Sequence, residues 1–582
     1  MSQRSDALTV ALTGQLPFIL IVSAVLALVA SFLLLLLYRR AVIKSMRRRS
    51  RSEILEPKGF LPPESEHKPN DAPLNFNFVT RDAARAHRDA TTLYRTANRR
   101  RWLIAFVHTV AGCCFAATMT AAFLSAGKMG FSPFRFLFLT WANAWPVLMA
   151  IDLAVGLSHR GKLVGALVYF LIGGVIGTIV LGKNPGLPIG QLLYLWLEFN
   201  AAPTVLLLVF LNRRIRALGP LVLVFMILGV TGASFVVTLT GNNLKLLKAV
   251  SDFSYSIGLG PFGTMVTLHL IGFAAFAIVG WLILGSLRRL YEKKYVSEQS
   301  ITVDAMWLLF GMINSIGLVF EGRLWIFSGL AAFALYKILA AGLFRALGIA
   351  RRAKSNGRRM LLLRVFALGK RSESLYDTVG KSWRTVGSMQ LIAGPDLATS
   401  TIEPHEFLDF VSGKLDRRFI DSGRTLDLRI DQMDLEPDGE GQFRVTEFFC
   451  HDDTWKITLA RLADESDAVL MDLRGFSQTN AGCVFEIHEL FSLVILPRVV
   501  FVYDETTDQA FMRRTMQRAW ENLKERSPNR RSGAGQVSLV QLSSGGATRD
   551  LLYSLCAAAT VKPAQPRIEP LTPNIDDRQF SW

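Results

Sequence analysis

A chain of 582 residues that is 51% hydrophobic, with a net charge of +18, is too apolar for a soluble protein of this size. Its mean hydropathy of +0.31 calls for membrane spans, and the positive excess points to cytoplasmic loops lying against anionic lipid headgroups. No recognition motif accompanies the charge, which argues against nucleic acid as a partner. None of the five cysteines has metal-ligand spacing, and nothing marks a disulfide framework.

The first apolar run covers residues 14–38 and stops against RRAVIKSMRRRSR. It is too long for a signal peptide and lacks a small-residue cleavage site, so a span within residues 1–38 is expected. Residues 39–101 read as a basic cytoplasmic linker, with prolines at 57, 62, 63 and 69, followed by a helix. Eight further apolar runs lie near 102–126, 136–157, 163–182, 191–211, 218–240, 262–286, 305–320 and 324–344. Together they make an eight-span membrane domain over 102–344.

The loops test the count. Basic connections at 39–101, 158–162, 212–216, 287–294 and 345–359 alternate with connections poor in Lys and Arg. By the positive-inside rule this gives nine spans, with the N-terminus outside and the C-terminus in the cytoplasm. The expected location is a plasma membrane of the bacterial inner type.

Ionisable and amide groups interrupt the runs: His108, Asp152, Glu198, Asn200, His269 and Lys337. Such groups line pathways or pair between helices, and Glu198 is the acid closest to a helix middle. NAWP at 143–146 and NAAP at 200–203 are each followed by a glycine-patterned span, as in a duplicated hairpin. Pro146 and Pro203 should kink their helices.

Beyond a basic linker at 345–359, the periodicity changes to strands alternating with helices. MLLLRVFAL (360–368), SMQLIAGPD (388–396), LDLRI (426–430), AVLMDL (468–473), RVVFVYD (498–504) and VSLVQL (537–542) read as strands. Helices are read at 372–387, 403–420, 454–467, 481–496, 508–526 and near 546–559, while DQMDLEPDGEGQ (431–442) reads as an acidic surface loop and HDD (451–453) as a turn in which Asp453 caps a helix. This predicts a doubly wound, mostly parallel α/β domain over 360–559 and a disordered tail over 560–582. Ligands of such sheets lie outside the carboxyl ends of the strands, where strand order reverses. Lys370 and Arg371, opening a helix, and Arg474, Ser477 and Asn480, in RGFSQTN, suit an anionic ligand there. Glu486 follows on a helix whose apolar stripe is Val484, Ile487, Phe491 and Val494, which sets Glu486 at the border of the buried face.

The run SDAVLMDLRGFSQTNAGCVFEIHEL resembles the third strand and following helix of TIR domains. It is also similar to nucleoside 2-deoxyribosyltransferases. LLLRVFAL with its helix is similar to the opening of a TIR domain. The resemblance implies a TIR-like, flavodoxin-like fold in which Glu486 serves cleavage of an N-glycosidic bond, with NAD or a nucleoside as the substrate; no cofactor is assigned. The aromatic residue that usually precedes the acid is replaced by GCVFE, and extra residues separate the second strand from the helix before the third. No Walker A loop, GxGxxG turn, GxSxG elbow, HExxH or CxxC pair is present. Three functions are compatible with these features: a membrane protein with a nucleotide-binding effector domain, a transporter or channel with a regulatory domain, or a non-catalytic, self-associating scaffold.

Overall fold

The protein is described from a computed structural model covering residues 15–46, 70–78, 88–183, 186, 188–211, 215, 218–295, 298–319, 321–349, 357–364, 370–393, 410–411, 413, 415–451, 453–531, 535–542 and 547–561. Among these residues, nine helical segments are long and apolar enough to cross a membrane. In chain order they are α1 (Gln15–Met46), α2 (Arg88–Ala126), α3 with α4 (Pro133–Asn143 and Pro146–Val155), α5 (His159–Lys183), α6 (Ile189–Phe210), α7 (Gly219–Gly241), α9 (Pro261–Glu292), α10 (Glu298–Leu318) and α11 (Ser328–Ala346). The expected count of nine therefore holds. A short helix, α8 (Leu244–Ser256), lies between the sixth and seventh spans.

The two proline motifs behave differently. Pro146 divides the third span, with Ala144 and Trp145 between the halves. Pro203 sits inside a continuous α6. A broken helix leaves carbonyls that must find donors away from water. Asn200 Nδ2 donates to Ala142 O at 2.9 Å, and the Tyr169 hydroxyl donates to Trp141 O at 2.9 Å. Asn143 donates to Thr120 Oγ1 at 3.2 Å. The two NAxP motifs thus meet at one break.

The α/β part is an eight-stranded parallel sheet, ordered β1-β8-β7-β6-β2-β3-β5-β4. Its strands are β1 (Leu74–Phe78), β2 (Arg358–Arg364), β3 (Gly387–Ala393), β4 (Phe419–Ile420), β5 (Val445–Cys450), β6 (Ala468–Asp472), β7 (Val499–Tyr503) and β8 (Gly535–Gln541). Alternation along β2 feeds two cores, as a parallel sheet covered on both faces requires. Met360 and Leu362 pack with Val379 and Trp383 of α12 (Lys370–Trp383), Leu555 of α17 (Ala547–Thr560), and Ala90 and Ala97 of α2. Leu361 and Leu363 pack with α13 (Gly423–Asp431), α14 (Trp455–Glu465), α15 (Ala481–Leu493) and α16 (Gln509–Glu521).

Several features differ from expectation, among them Phe419–Ile420, which form β4 where a helix was expected. Residues 74–78, within the linker, are an edge strand on β8, with Trp520 Nε1 donating to Ala72 O. LDLRI is helical: Leu426 and Ile430, four apart, are buried while Leu428 is 53% exposed. Its N-cap, Ser422, accepts from Thr425 N. VTEFFC, unassigned in the sequence, forms β5.

The acidic loop differs as well. Asp438, Glu440 and Gln442 are buried because the loop docks on the membrane helices. Glu440 pairs with Ser300 of α10 and lies 4.0 Å from Lys337 of α11. Lys337 in turn bridges both oxygens of Asp304, at 2.9 and 3.1 Å. Arg444 stacks 4.1 Å from the Tyr291 ring of α9. His451 is buried too, its ring between Ser45 O at the end of α1 and Asp421, each at 2.8 Å. Thr454, not Asp453, is the N-cap of α14.

Candidate functional site

From β2 the chain moves outward to β3 on one side, and it later returns to the other side of β2 with β6. The helix after β2 covers one face and the helix after β6 the other. The reversal therefore lies between β2 and β6, with Arg364 and Asp472 paired in register at the carboxyl ends. This is the place where side chains of two strands and two helix N-termini converge.

Asp472 is almost fully buried and grips Arg474 in a fork, with Nε on Oδ1 at 2.8 Å and Nη2 on Oδ2 at 2.7 Å. That pairing holds the Arg474 guanidinium charged against the cost of its burial. Gly475 then turns with φ +68°, where a side chain would be strained. Ser477 N and Oγ bond to Asn480 Oδ1 at 2.9 and 3.2 Å, so the loop closes on itself just before α15. Asn480 is the N-cap residue of α15, although its side chain makes no capping bond to the helix.

Glu486 lies deeper than its sequence position suggested. The buried face of α15 runs through Cys483, Glu486, Ile487 and Leu490, and Val484 is only half-buried. Glu486 is 2% exposed, and its Oε2 has no hydrogen-bond partner. Burial pushes its carboxyl up to about 8, against the opposing pull of Arg364 and the Cys483 thiol. The same Cys483 Sγ reaches Arg364 O at 3.7 Å, which ties α15 to the end of β2.

Arg474, Ser477 and Asn480 lie in the one loop that follows β6 at this reversal, and Glu486 lies beyond it on α15, beside Arg364 and Cys483. Lys370 and Arg371 fall in the first turn of α12, but their side chains lie outside the described residues. Sequence reasoning missed Arg364 and Asp472 as members of the site. Their signal was a charge closing an otherwise apolar strand, in LLLR and AVLMD. Among the described residues, no group of three or more His, Cys, Asp or Glu side chains is placed to hold a metal.

In the membrane part, Lys337 and Asp304 pair inside the bundle, and His108 Nδ1 meets the Tyr336 hydroxyl at 2.7 Å. Asp152 pairs with Lys162 at 2.6 Å at a helix end. Glu198 instead faces outward from the bundle. Comparison of the chain with protein-family models, with curated proteins and with solved structures finds no match.

Proposed function

We propose that this is a polytopic membrane protein whose parallel-sheet domain faces the cytoplasm and is TIR-like, binding NAD or a nucleoside at the strand reversal. In this reading Glu486 serves cleavage of the ligand's N-glycosidic bond. The observation that carries the proposal is Glu486 itself: a buried acid with an unpartnered oxygen, beside Arg364, at the reversal of a parallel sheet.

The chemistry fits an oxocarbenium-like transition state. As the bond from the anomeric carbon to the base nitrogen breaks, the electron pair leaves with the base, and water supplies the new oxygen. The sugar carries positive charge meanwhile, and a nearby carboxylate stabilises it. A carboxyl held near 8 is mostly neutral at pH 7. A cationic ring or a developing sugar cation would draw its proton off, so the charge forms when it is needed. Arg364 and Arg474 supply positive charge for phosphates, Arg474 at the expense of its hold on Asp472.

Calorimetric titration of the full chain in nanodiscs with NAD, in buffers of different ionisation enthalpy, tests this reading. Proton release on binding is expected in the wild type and not in Glu486→Gln. Equal proton release in both, or no binding of NAD or of nucleosides by the wild type, would overturn it.

A further inference from the structure

The outward side of α6 carries Tyr194, Leu197, Glu198, Val205 and Leu208 along one helical stripe, all of them exposed. Four are apolar or aromatic and belong against lipid; Glu198 does not. It sits nine residues after Ile189 in a 22-residue span. At 1.5 Å per residue that is about 14 Å deep, near the middle of a hydrocarbon core about 30 Å thick. A glutamate is too short to reach water from there. An intramembrane acid is costly unless something pairs with it. No described residue of the same chain does so.

A complementary group lies on α9. His269 is eight residues after Pro261, so its depth matches that of Glu198 to within about 2 Å. Both helices start on the same side, since two crossings separate their first residues. His269 Nδ1 donates to Met265 O at 2.8 Å, one turn back, which leaves Nε2 for another partner. Around it α9 exposes Phe262, Met265, Val266 and Leu270. Both α6 and α9 contact α7.

We propose that the protein pairs with a second copy of itself through these faces, with Glu198 of one copy meeting His269 of the other. A two-fold axis along the membrane normal preserves depth, so each copy gives one acid and takes one imidazole. In lipid, where the tails are as apolar as leucine, apolar stripes gain no hydrophobic drive to associate. The polar pair supplies the direction, and the stripes supply the packing. This inference is independent of what the sheet domain binds.

The test counts subunits of the full chain by single-molecule photobleaching in lipid vesicles at low protein-to-lipid ratio. Two copies per particle are expected for the wild type, with at least a tenfold loss of dimer for Glu198→Gln and for His269→Leu. The exchange Glu198→His with His269→Glu restores the pair and should restore the dimer. A cysteine pair, Leu197→Cys on one copy and Val266→Cys on the other, should cross-link in a background lacking Cys113 and Cys114. Far-ultraviolet circular dichroism of each variant checks that it is folded. A monomeric wild type, a dimer indifferent to Glu198→Gln in a folded variant, or association with a different protein in place of a second copy would overturn the proposal.

Discussion

Among single residues, Glu486 has the widest consequences. A carboxyl raised to about 8 in the folded protein, and near its ordinary value when unfolded, holds a proton in the native state that the unfolded chain has lost. Stability is therefore full below about 4.5 and falls by about 1.4 kcal/mol per pH unit up to about 8, then levels. Glu486→Gln keeps the shape and lacks the titration. At pH 7 it should be more stable than the wild type by on the order of 3 kcal/mol. The gain should shrink towards pH 5. Thermal unfolding of the two proteins across that range checks this, and a difference that does not vary with pH would contradict the burial assigned to Glu486. Asp438 behaves alike. Burial and the neighbouring Glu440 hold its carboxyl well above the usual range, so the loop it anchors loosens as pH rises.

Elements explain which parts of the sequence could be read directly. The nine spans were legible because each is a continuous apolar run, and loop charge alternated with them. Strands β2, β3, β6 and β7 were legible because each carries an apolar run buried on both faces, and β8 because its apolar residues alternate with polar ones. LDLRI misled because its alternation imitates a half-buried strand, while the burial of Leu426 and Ile430 is helical. The strand LNFNF is short, polar at alternate positions and paired with residues more than 450 positions away, so nothing local marks it. The acidic loop looked solvated because its partners, Ser300 and Lys337, come from other elements. At the site, the acid on α15 was legible, but its depth was not, since the buried face is set by the sheet it packs on. The contact between α10 and α11 can be tested through Lys337. Lys337→Met leaves Asp304, 1% exposed, without its cation and should cost about 3 kcal/mol or more, lowering the unfolding midpoint. Adding Asp304→Asn should recover most of the loss. A single variant as stable as the wild type would show that the pair contributes nothing.

Within the whole molecule, the two parts are continuous rather than tethered. α2 begins in the sheet domain, where Tyr94 stacks on Tyr553 at 4.2 Å, and runs unbroken into the membrane bundle. The acidic loop and His451 add contacts to α9, α10, α11 and α1. The sheet domain is therefore braced against several of the spans at once. The side on which the sheet domain lies is inferred from the loop charges. A reporter fused after residue 359 should read cytoplasmic, and one inserted within 241–261 should read the opposite side; the same side for both would break the nine-span topology.

The proposed role of Glu486 is tested most directly by turnover of NAD or nucleosides by the full chain in nanodiscs, wild type against Glu486→Gln. Release of free base is expected from the wild type and none from Glu486→Gln, with the variant folded and its ligand affinity retained. Equal release by both proteins, or no release by a wild type that binds the ligand, would contradict that role.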